Sequence, residues 1–393
     1  MLFIGYLEKI ENVEKYPNLS TAGLKYQINL LKALNNISNL DLHVVSYRPI
    51  PSFPNGPIIT KTSMSDSNTI EVTNLGFVNI PVLKSIIFQK KLHKHIIKLL
   101  KRDKIDTILC FNYYLSFANP LKKISKKYDI PVIPILADLP ISHLKNSSML
   151  STIIHNFINK KSIKNLKNIK QCVVLNRNAA KIYAPESKYI LVEGGINQDL
   201  IQHWDRNRIK SKTFLYAGSL DYYSGIDIFI SAFNQVSLSH DIYLKICGSG
   251  ELENRIKSLI KNNSKIDFLG KISNKDVIDL EKKSFCVVNP KIIFDEISRV
   301  TFPSKIHEYM TNNSHIISSK LDGIDEKYFD KMILIERDDV ISHRDAIEKA
   351  INTKKKEIQE KSYLIKDFIS NSLTWERQAK RVVDFIEELT KGN

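Results

Sequence analysis

The stretch Phe214-Leu215-Tyr216-Ala217-Gly218-Ser219-Leu220 is an apolar strand that ends in a turn of small residues. The stretch Ile242-Tyr243-Leu244-Lys245-Ile246-Cys247-Gly248-Ser249-Gly250-Glu251 repeats that layout. Both stretches place glycine at the carboxyl end of a strand, which is where ligands bind in open parallel sheets. Because glycine has no side chain, backbone N–H groups there can approach a phosphate closely. The two stretches therefore predict a parallel sheet with a ligand at its glycine turns.

Strand and helix patterns alternate on both sides of these turns. Short apolar strands are predicted at residues 266–270 and 285–290, and a second alternating set fills the first half of the chain. Such alternation predicts an α/β fold with parallel doubly wound sheets. A chain of 393 residues exceeds the usual size of one core, so two domains are expected, with a hinge between residues 194 and 212. The predicted elements of the first half are strands 1–6, 40–46, 107–111, 131–136 and 171–175 and helices 22–34 and 86–100.

A further motif lies at Arg299-Val300-Thr301-Phe302-Pro303-Ser304-Lys305-Ile306-His307-Glu308-Tyr309-Met310. Pro303 suits a helix entry, where free N–H groups of the first turn form an anion site that fits a diphosphate. Lys305 adds a positive charge, and Glu308 lies on nearly the same helical face, where a carboxylate can accept both hydroxyls of a ribose. An ordinary amphipathic helix that packs on the core explains these twelve residues equally well.

The order of two strand-glycine turns followed by a proline-started helix resembles the donor-binding half of GT-B glycosyltransferases. It is most similar to the large retaining family four, the glycosyl transferases group 1, of the bacterial surface-polysaccharide type. The resemblance is close over residues 214–323. It implies two Rossmann-like domains, an acceptor-binding one at 1–197 and a donor-binding one at 198–373. The closing helix, 374–393, is expected to cross back onto the first domain.

The resemblance also implies roles for individual residues. The turn at Gly218 and Ser219 would face the donor diphosphate, Gly248 and Gly250 would border the nucleotide, and Glu308 matches the second glutamate of the family's Glu-x7-Glu motif. No metal and no cofactor is implied, since the chain has no Asp-x-Asp motif. The predicted donor-side residues are Gly218, Ser219, Gly248, Gly250, Arg299, Pro303, Ser304, Lys305 and Glu308.

The chain departs from the family pattern at three positions. Val300 stands where the first glutamate is expected, and Ser219 and Ser224 stand where the family has cations. A diphosphate in a partly dry cleft needs charge compensation, so Lys305 and Arg299 are the predicted replacements.

The adjacent acidic pair Asp295 and Glu296 has two interpretations. One of these carboxylates replaces the missing glutamate, or both belong to a solvated acidic loop.

The acceptor side gives fewer signals. Asp138 follows a strand in the first half, where its carboxylate can stabilise an acceptor hydroxyl or a developing sugar cation, or can simply cap the strand end. Asp138 and Lys305 are the predicted catalytic residues. Ala22 and Gly23, at the first helix, match in part a glycine-containing loop of the family. His143 and His155 are weaker candidates than Asp138 for the acceptor-side role.

The net charge of +16 is unevenly placed. Residues 84–127 contain twelve basic residues against two acidic ones, a net charge of +10, and residues 159–164 add a second basic patch. These lysines alternate with apolar residues that are expected to pack on the sheet, so the lysines themselves predict attraction to an anionic membrane. Nucleic acid is not expected, because no stacking motif, helix-turn-helix or zinc finger accompanies them.

Four scattered cysteines, Cys110, Cys172, Cys247 and Cys286, are expected to be buried thiols. No apolar stretch is long enough to cross a membrane, so a cytoplasmic protein is expected, held at the inner face of the membrane by charge. The predicted function is transfer of a sugar from a nucleoside diphosphate sugar to a glycan or lipid-linked acceptor, with retention implied by the family. A sugar-nucleotide epimerase of the same fold and an inactive binding subunit remain alternatives.

Overall fold

The computed structural model describes residues 1–8, 20–37, 40–67, 70–81, 83–139, 149–202, 212–312 and 314–391. The chain divides into two compact units. Unit 1 comprises Met1–Gly195 and Trp375–Asn393, and unit 2 comprises Ile196–Thr374. Residues 203–211 of the predicted hinge and the candidate His143 lie outside the described residues, as does the side chain of His155.

Unit 1 contains an eight-stranded sheet in the order β3-β4-β2-β1-β5-β6-β7-β8. All neighbouring strands are parallel except the edge strand β3, which pairs antiparallel with β4. The central strands are buried on both faces, which explains their continuous apolar sequence. The strands are β1 (Leu2–Gly5), β2 (His43–Ser46), β3 (Ser63–Ser67), β4 (Ile70–Asn74), β5 (Ile108–Phe111), β6 (Val132–Leu136), β7 (Gln171–Val174) and β8 (Lys188–Leu191).

Helices cover both faces of this sheet. One face packs against α1 and the closing helix α14, and the other packs against α2, α3 and α4. In α14 the residues Trp375, Ala379, Val382 and Phe385 are buried, and the Trp375 ring meets Tyr26 of α1 edge-on at 5.2 Å. The predicted return of the closing helix is therefore confirmed. The helices are α1 (Thr21–Asn35), α2 (Leu83–Leu100), α3 (Leu115–Tyr128), α4 (Met149–Leu166), α5 (Arg177–Tyr183) and α14 (Trp375–Lys391).

Unit 2 contains a six-stranded sheet in the order β11-β10-β9-β12-β13-β14, and all its neighbours are parallel. Counted within the unit, this is the order 3-2-1-4-5-6 of a doubly wound Rossmann sheet. The predicted two Rossmann-like domains are thus confirmed. The strands are β9 (Thr213–Ala217), β10 (Tyr243–Cys247), β11 (Ile266–Gly270), β12 (Cys286–Asn289), β13 (His315–Ser319) and β14 (Ile333–Ile335).

The helices of unit 2 enclose two apolar clusters on the two faces of its sheet. Ile226, Phe229 and Phe233 of α7 belong to one cluster, and Ile306 and Met310 of α11 belong to the other. The helices are α6 (Gln198–Gln202), α7 (Ile226–Val236), α8 (Glu253–Ile260), α9 (Asn274–Lys283), α10 (Glu296–Val300), α11 (Lys305–Met310), α12 (Val340–Asn352) and α13 (Lys355–Phe368).

Each sheet has one point where the strand order reverses direction. In unit 1 the reversal lies between β1 and β5, and in unit 2 it lies between β9 and β12. Connections leave such a pair of strands towards opposite faces of the sheet, so a crevice opens at their carboxyl ends. These two edges are where ligand-binding residues are expected.

The four cysteines are buried thiols, as predicted. Among the helices of the described ranges, none combines the length and the apolar character needed to span a bilayer.

Candidate functional site

The glycine turns of unit 2 lie against each other at the carboxyl ends of β9 and β10. Gly218 N donates to Cys247 O at 3.0 Å, and Leu220 N donates to Ser249 O at 3.0 Å. Gly248 and Gly250 have φ of +147° and +159°, a region that side chains rarely adopt. A Cβ at Gly248 would lie 1.8 Å from Gly218 O, so the two turns can pack this closely only as glycines.

This packing gives the glycines a different immediate role from the predicted one. The N–H groups of Gly218, Gly248 and Gly250 donate to Cys247, Gly270 and the Glu253 carboxylate, all inside unit 2. They are therefore not free to bind a phosphate in this conformation. The glycines instead allow the two backbones to meet, and the exposed Ser219 stands at the tip of the first turn.

Lys305 reaches the same edge of the sheet from α11. Its ammonium donates to Ala217 O, at the carboxyl end of β9. Burial raises the pKa of the Cys247 thiol at the end of β10, and the Lys305 charge opposes that rise. The Lys305 ammonium thus lies at the ends of β9 and β10, beside the glycine turns.

The helix that carries Lys305 is short. α11 has six residues, and Ser304 precedes it without a side-chain capping bond. Pro303 is buried and accepts a hydrogen bond from Ile306 N at 3.0 Å. So short a helix sums few peptide dipoles, so the positive charge at this edge comes mainly from the Lys305 ammonium.

Glu308 is on α11, three residues after Lys305, and is half-buried. Its backbone carbonyl accepts hydrogen bonds from Thr311 Oγ1 at 2.7 Å and from Asn312 Nδ2 at 3.1 Å, which fix the end of the helix. The spacing of three residues places Glu308 on nearly the same helical face as Lys305.

Arg299 has a different environment. It lies on α10, more than half exposed, and its Nε is 3.7 Å from Asp322 Oδ2. The carboxylate of Asp295 accepts a hydrogen bond from Ser298 N at 3.2 Å and so caps α10. Ser224, at the position of a family cation, is buried and donates to Asp221 O at 2.5 Å.

Lys291 is a basic residue at this edge that the sequence reasoning missed. It follows Pro290 directly after β12, the second strand of the reversal point, and is half-buried. Burial lowers the pKa of its ammonium, Asp221 and Asp295 raise it, and the Lys305 charge lowers it. Within the described ranges its side chain makes no hydrogen bond and no ion pair. Its position directly after a buried strand was the only signal in the sequence.

In unit 1, Asp138 lies just beyond β6 and is exposed. Its Oδ2 accepts hydrogen bonds from Asn112 Nδ2 at 2.9 Å and from Tyr114 Oη at 3.4 Å. Both partners follow β5, one of the two strands at the reversal point. Burial raises the pKa of Tyr114, and the Asp138 carboxylate raises it further, so the phenol stays protonated.

Ala22 and Gly23 are in the first turn of α1. Ala22 is exposed, and Gly23 N donates to Ser20 Oγ at 3.1 Å, which caps the helix. A Cβ at Gly23 would make ordinary contacts, so the fold does not require glycine there. Further along α1, Gln27 accepts a hydrogen bond from Tyr6 N at 2.9 Å and donates to Tyr6 O at 3.2 Å, which fixes the backbone after β1.

The basic residues of unit 1 are concentrated on one helical layer. Phe88, Leu92 and Ile96 of α2 are buried against the sheet, as predicted, while Ile86 and Phe157 are 47% and 66% exposed in the same layer. The exposed lysines of this layer, which we call the basic layer, are Lys90, Lys91, Lys94, Lys98, Lys122, Lys123, Lys126, Lys127, Lys160, Lys161 and Lys164.

No group of three or more potential metal ligands occurs among the residues that the structure describes.

A family model matches this part of the chain. Residues 201–365 match the family model Glycosyl transferases group 1. The matched range lies within unit 2 and contains β9 to β14, both glycine turns, Lys291 and α11. The resemblance indicated by the motifs is therefore confirmed for unit 2. A comparison with curated proteins gave no match.

The whole chain is similar to solved two-domain structures. Sucrose-phosphate synthase from Thermosynechococcus elongatus aligns with a TM-score of 0.65 and 14% identity over 100% of both chains. An E. coli structure titled trehalose-6-phosphate, bound with UDP-2-fluoro glucose, aligns with a TM-score of 0.68 and 10% identity over 98% of both chains. Anabaena Alr3699/HepE in complex with UDP aligns with a TM-score of 0.61 and 12% identity over 99% of this chain and 100% of that one. At these identities the likeness concerns the fold, and it confirms the predicted GT-B architecture.

Proposed function

We propose that this protein is a glycosyltransferase that moves a sugar from a nucleoside diphosphate sugar to a glycan or lipid-linked acceptor. The observation that carries the proposal is the pair of ammonium groups at the reversal point of unit 2, Lys305 at the end of β9 and Lys291 after β12. The Lys305 charge acts to lower the pKa of both the Cys247 thiol and the Lys291 ammonium, so the site favours an anion. The match of the same region to group 1 glycosyltransferases supports a nucleoside diphosphate as that anion.

The donor would lie on the carboxyl edge of the unit 2 sheet. Lys305 and Lys291 would neutralise the diphosphate, Ser219 would donate from its hydroxyl, and Glu308 would accept the ribose hydroxyls. Arg299 was predicted as a phosphate ligand, but its contact with Asp322 favours the two lysines for that role. Gly218, Gly248 and Gly250 would keep the two turns close together, so that the nucleotide could lie across them.

The reaction breaks the bond between the anomeric carbon and the diphosphate oxygen and forms a bond from that carbon to the acceptor oxygen. With retention, which the family resemblance implies, both events occur on one face of the sugar, and the departing phosphate takes the acceptor proton. Negative charge grows on the diphosphate during this step. A fixed ammonium at that point, such as Lys305, stabilises the transition state more than the ground state.

On the acceptor side, Asp138, which follows β6 and is held by Asn112 at the end of β5, is the proposed contact to the reacting hydroxyl or to the developing sugar cation. Unit 1 would thus bind the acceptor, and unit 2 the donor.

The basic layer of unit 1 supports an acceptor that is presented at an anionic membrane. Eleven exposed lysines on α2, α3 and α4 would attract acidic lipid at about 1 kcal/mol each when close to the surface. A lipid-linked glycan at the inner face of a bacterial cell membrane, as in surface-polysaccharide synthesis, fits this charge. We propose a cytoplasmic protein that attaches there peripherally.

Thermal unfolding with a panel of nucleotide sugars tests the donor proposal. UDP-glucose, UDP-galactose and UDP-N-acetylglucosamine come first, because two of the similar structures are bound to UDP or to UDP-2-fluoro glucose, and GDP-mannose and ADP-glucose serve for comparison. A ligand of the folded state at about 100 times its Kd stabilises by about 2.7 kcal/mol.

Product analysis with the stabilising donor then separates the candidate activities. A transferase releases nucleoside diphosphate with an acceptor, or slowly by hydrolysis, whereas an epimerase forms a new nucleotide sugar. Binding without any turnover would indicate an inactive binding subunit. Absence of stabilisation by every member of the panel would contradict the proposed function.

A further inference from the structure

We propose that Asn112 is a positioning residue that holds the Asp138 carboxylate ready to accept a hydrogen bond from a sugar hydroxyl, at the reversal point of unit 1. The binding of a neutral sugar here rests on the geometry of unit 1. Only the role of that sugar as the acceptor rests on the proposed function.

Asn112 has a backbone conformation that few residue types adopt. Its φ is +61°, the left-handed region that among non-glycine residues is tolerated best by Asn and Asp, and the residue is only 1% exposed. The side chain joins the ends of β5 and β6. Its Oδ1 accepts hydrogen bonds from Ala137 N at 3.0 Å and from Asp138 N at 2.8 Å.

The remaining group of Asn112 fixes the Asp138 side chain. Nδ2 donates to Asp138 Oδ2 at 2.9 Å, and Tyr114 Oη donates to the same oxygen at 3.4 Å. Oδ1 of Asp138 makes no hydrogen bond with any described residue. The Asp138 carboxylate is exposed, but the buried Asn112 amide holds one of its oxygens. Its second oxygen therefore has a defined direction and can accept a hydrogen bond from a hydroxyl group.

Aromatic groups adjoin this carboxylate. Tyr114 is 37% exposed, and its ring meets the Tyr6 ring at 5.6 Å in an edge arrangement. Tyr6 follows β1, the other strand of the reversal point, and Gln27 of α1 holds its backbone on both sides. A carboxylate, an amide and amphipathic aromatic rings at one sheet edge are groups that recognise the hydroxyls and the C–H face of a sugar.

Binding of simple neutral sugars measures this site without knowledge of the natural acceptor. The probes are methyl α-D-glucopyranoside, methyl α-D-galactopyranoside and methyl α-D-mannopyranoside, titrated into the full chain by NMR with and without UDP. We expect the wild type to bind at least one of them. Asn112→Gly keeps the left-handed backbone and frees Asp138, so affinity should fall at least about tenfold.

Asn176 provides a matched control. It is also a buried asparagine just after a strand of this sheet, and its Oδ1 accepts hydrogen bonds from Asn178 N at 2.6 Å and Ala179 N at 3.3 Å. Asn176→Gly should lower thermal stability as Asn112→Gly does, while probe affinity stays within about twofold. Equal loss of affinity in both variants would mean that Asn112 acts only through stability.

An exchange variant gives a second readout. Asn112→Asp alone places two carboxylates together and should be destabilised, whereas Asn112→Asp combined with Asp138→Asn restores one amide and one carboxylate. We expect the combined variant to recover the melting temperature but not the sugar affinity, because the exposed oxygen now belongs to an amide.

Four results would overturn the proposal: no probe bound by the wild type, unchanged affinity in Asn112→Gly, equal loss of affinity in Asn112→Gly and Asn176→Gly, or full recovery of affinity in the exchange variant. Stabilisation by UDP is measured on every variant in parallel. A wild type that no member of the nucleotide-sugar panel stabilises would refute the proposed donor, and the titrations would still decide the sugar site.

Discussion

The ammonium of Lys305 donates to the carbonyl of Ala217, a residue 88 positions earlier at the end of β9. This contact joins the helix of one sequence motif to the glycine turn of the other. An ammonium has three donors, and one is used here. Lys305 makes no second hydrogen bond within the described ranges, so two donors remain for a diphosphate at this edge.

Removal of the Lys305 ammonium is therefore expected to be costly for turnover. Lys305→Met keeps most of the side-chain length but removes the charge that stabilises the departing diphosphate, and steady-state turnover should fall by about a hundredfold or more. Lys265→Met is the matched control and should keep normal turnover. The Lys265 ammonium donates to Ser237 O at 2.6 Å and to His240 O at 2.8 Å. Lys265 precedes β11 and so lies at the amino edge of the sheet, opposite to Lys305. Normal turnover in Lys305→Met together with an inactive Arg299→Met would assign the phosphate contact to Arg299.

Lys291→Met should change stability and binding in opposite directions. A half-buried ammonium without a hydrogen bond costs desolvation energy, so its removal should raise the melting temperature. If Lys291 faces the diphosphate, nucleoside diphosphate affinity should fall by about tenfold at the same time. Calorimetry on this variant and on Lys361→Met, another lysine whose pKa burial lowers, checks both effects. A variant that is stabilised and binds the diphosphate normally would remove Lys291 from the site.

Glu308→Gln should weaken donor binding without unfolding the protein. The substitution preserves shape and removes one charge-assisted hydrogen bond to ribose, on the order of 1.5–3 kcal/mol, which corresponds to roughly 10- to 100-fold in Kd. Glu348→Gln, at an exposed position on α12, should leave the donor Kd unchanged. The prediction fails if Glu308→Gln binds the donor as tightly as the wild type.

Attachment to membranes should depend on charge. Binding to vesicles with anionic lipid should weaken with salt, since exposed charges are screened over about 10 Å at 0.1 M, and zwitterionic vesicles should not bind. Replacement of Lys90, Lys91 and Lys94 by Gln should lower the partition coefficient by about a hundredfold. The same replacement of Lys261, Lys275 and Lys282 in unit 2 is the control. Sedimentation with neutral vesicles at high salt would indicate instead an inserted apolar face, such as Ile86 and Phe157.

Acid should destabilise the protein through His307. This side chain is buried on α11, its Nε2 lies 3.0 Å from Tyr328 Oη, and burial lowers its pKa to about 3. The unfolded chain binds a proton below about pH 6.5, whereas the folded one does not until about pH 3, so this contribution to stability is lost as pH falls through that window. The slope should be at most about 1.4 kcal/mol per pH unit.

Denaturant unfolding between pH 8 and pH 4 measures this effect. His307→Gln should flatten the dependence, whereas His240→Gln, at a half-exposed position, should not. An identical slope in wild type and His307→Gln would contradict the assignment.

The sequence predicted the elements whose signals are local. β5, β9 and β12 are continuous apolar runs because both faces of each strand are buried. β3 and β4 were both missed: Ser63–Ser67 is a polar edge strand, and the antiparallel partner β4 that would identify it was not predicted either. Edge strands have little apolar pattern of their own.

The candidate site also contains residues with a local sequence signal and residues that only their contacts identify. The glycine turns and Lys305 lie in recognisable motifs, so a resemblance could locate them. Asn112 could not be found in that way, because its partners, Ala137 and Asp138, are 25 and 26 residues away and its left-handed backbone has no fixed sequence signature. Lys291 is a single lysine after a proline, and its importance depends on the strand order that brings β12 beside β9.

The return of α14 to unit 1 has a consequence for synthesis of the chain. Trp375, Ala379, Val382 and Phe385 complete the apolar cluster that α1 begins, although all of unit 2 is encoded between them. On the ribosome, unit 2 is complete in sequence before unit 1 is. Until residues 375–391 emerge from the exit tunnel, the nascent first unit therefore lacks α14, and the apolar surface beside α1 that α14 covers stays exposed.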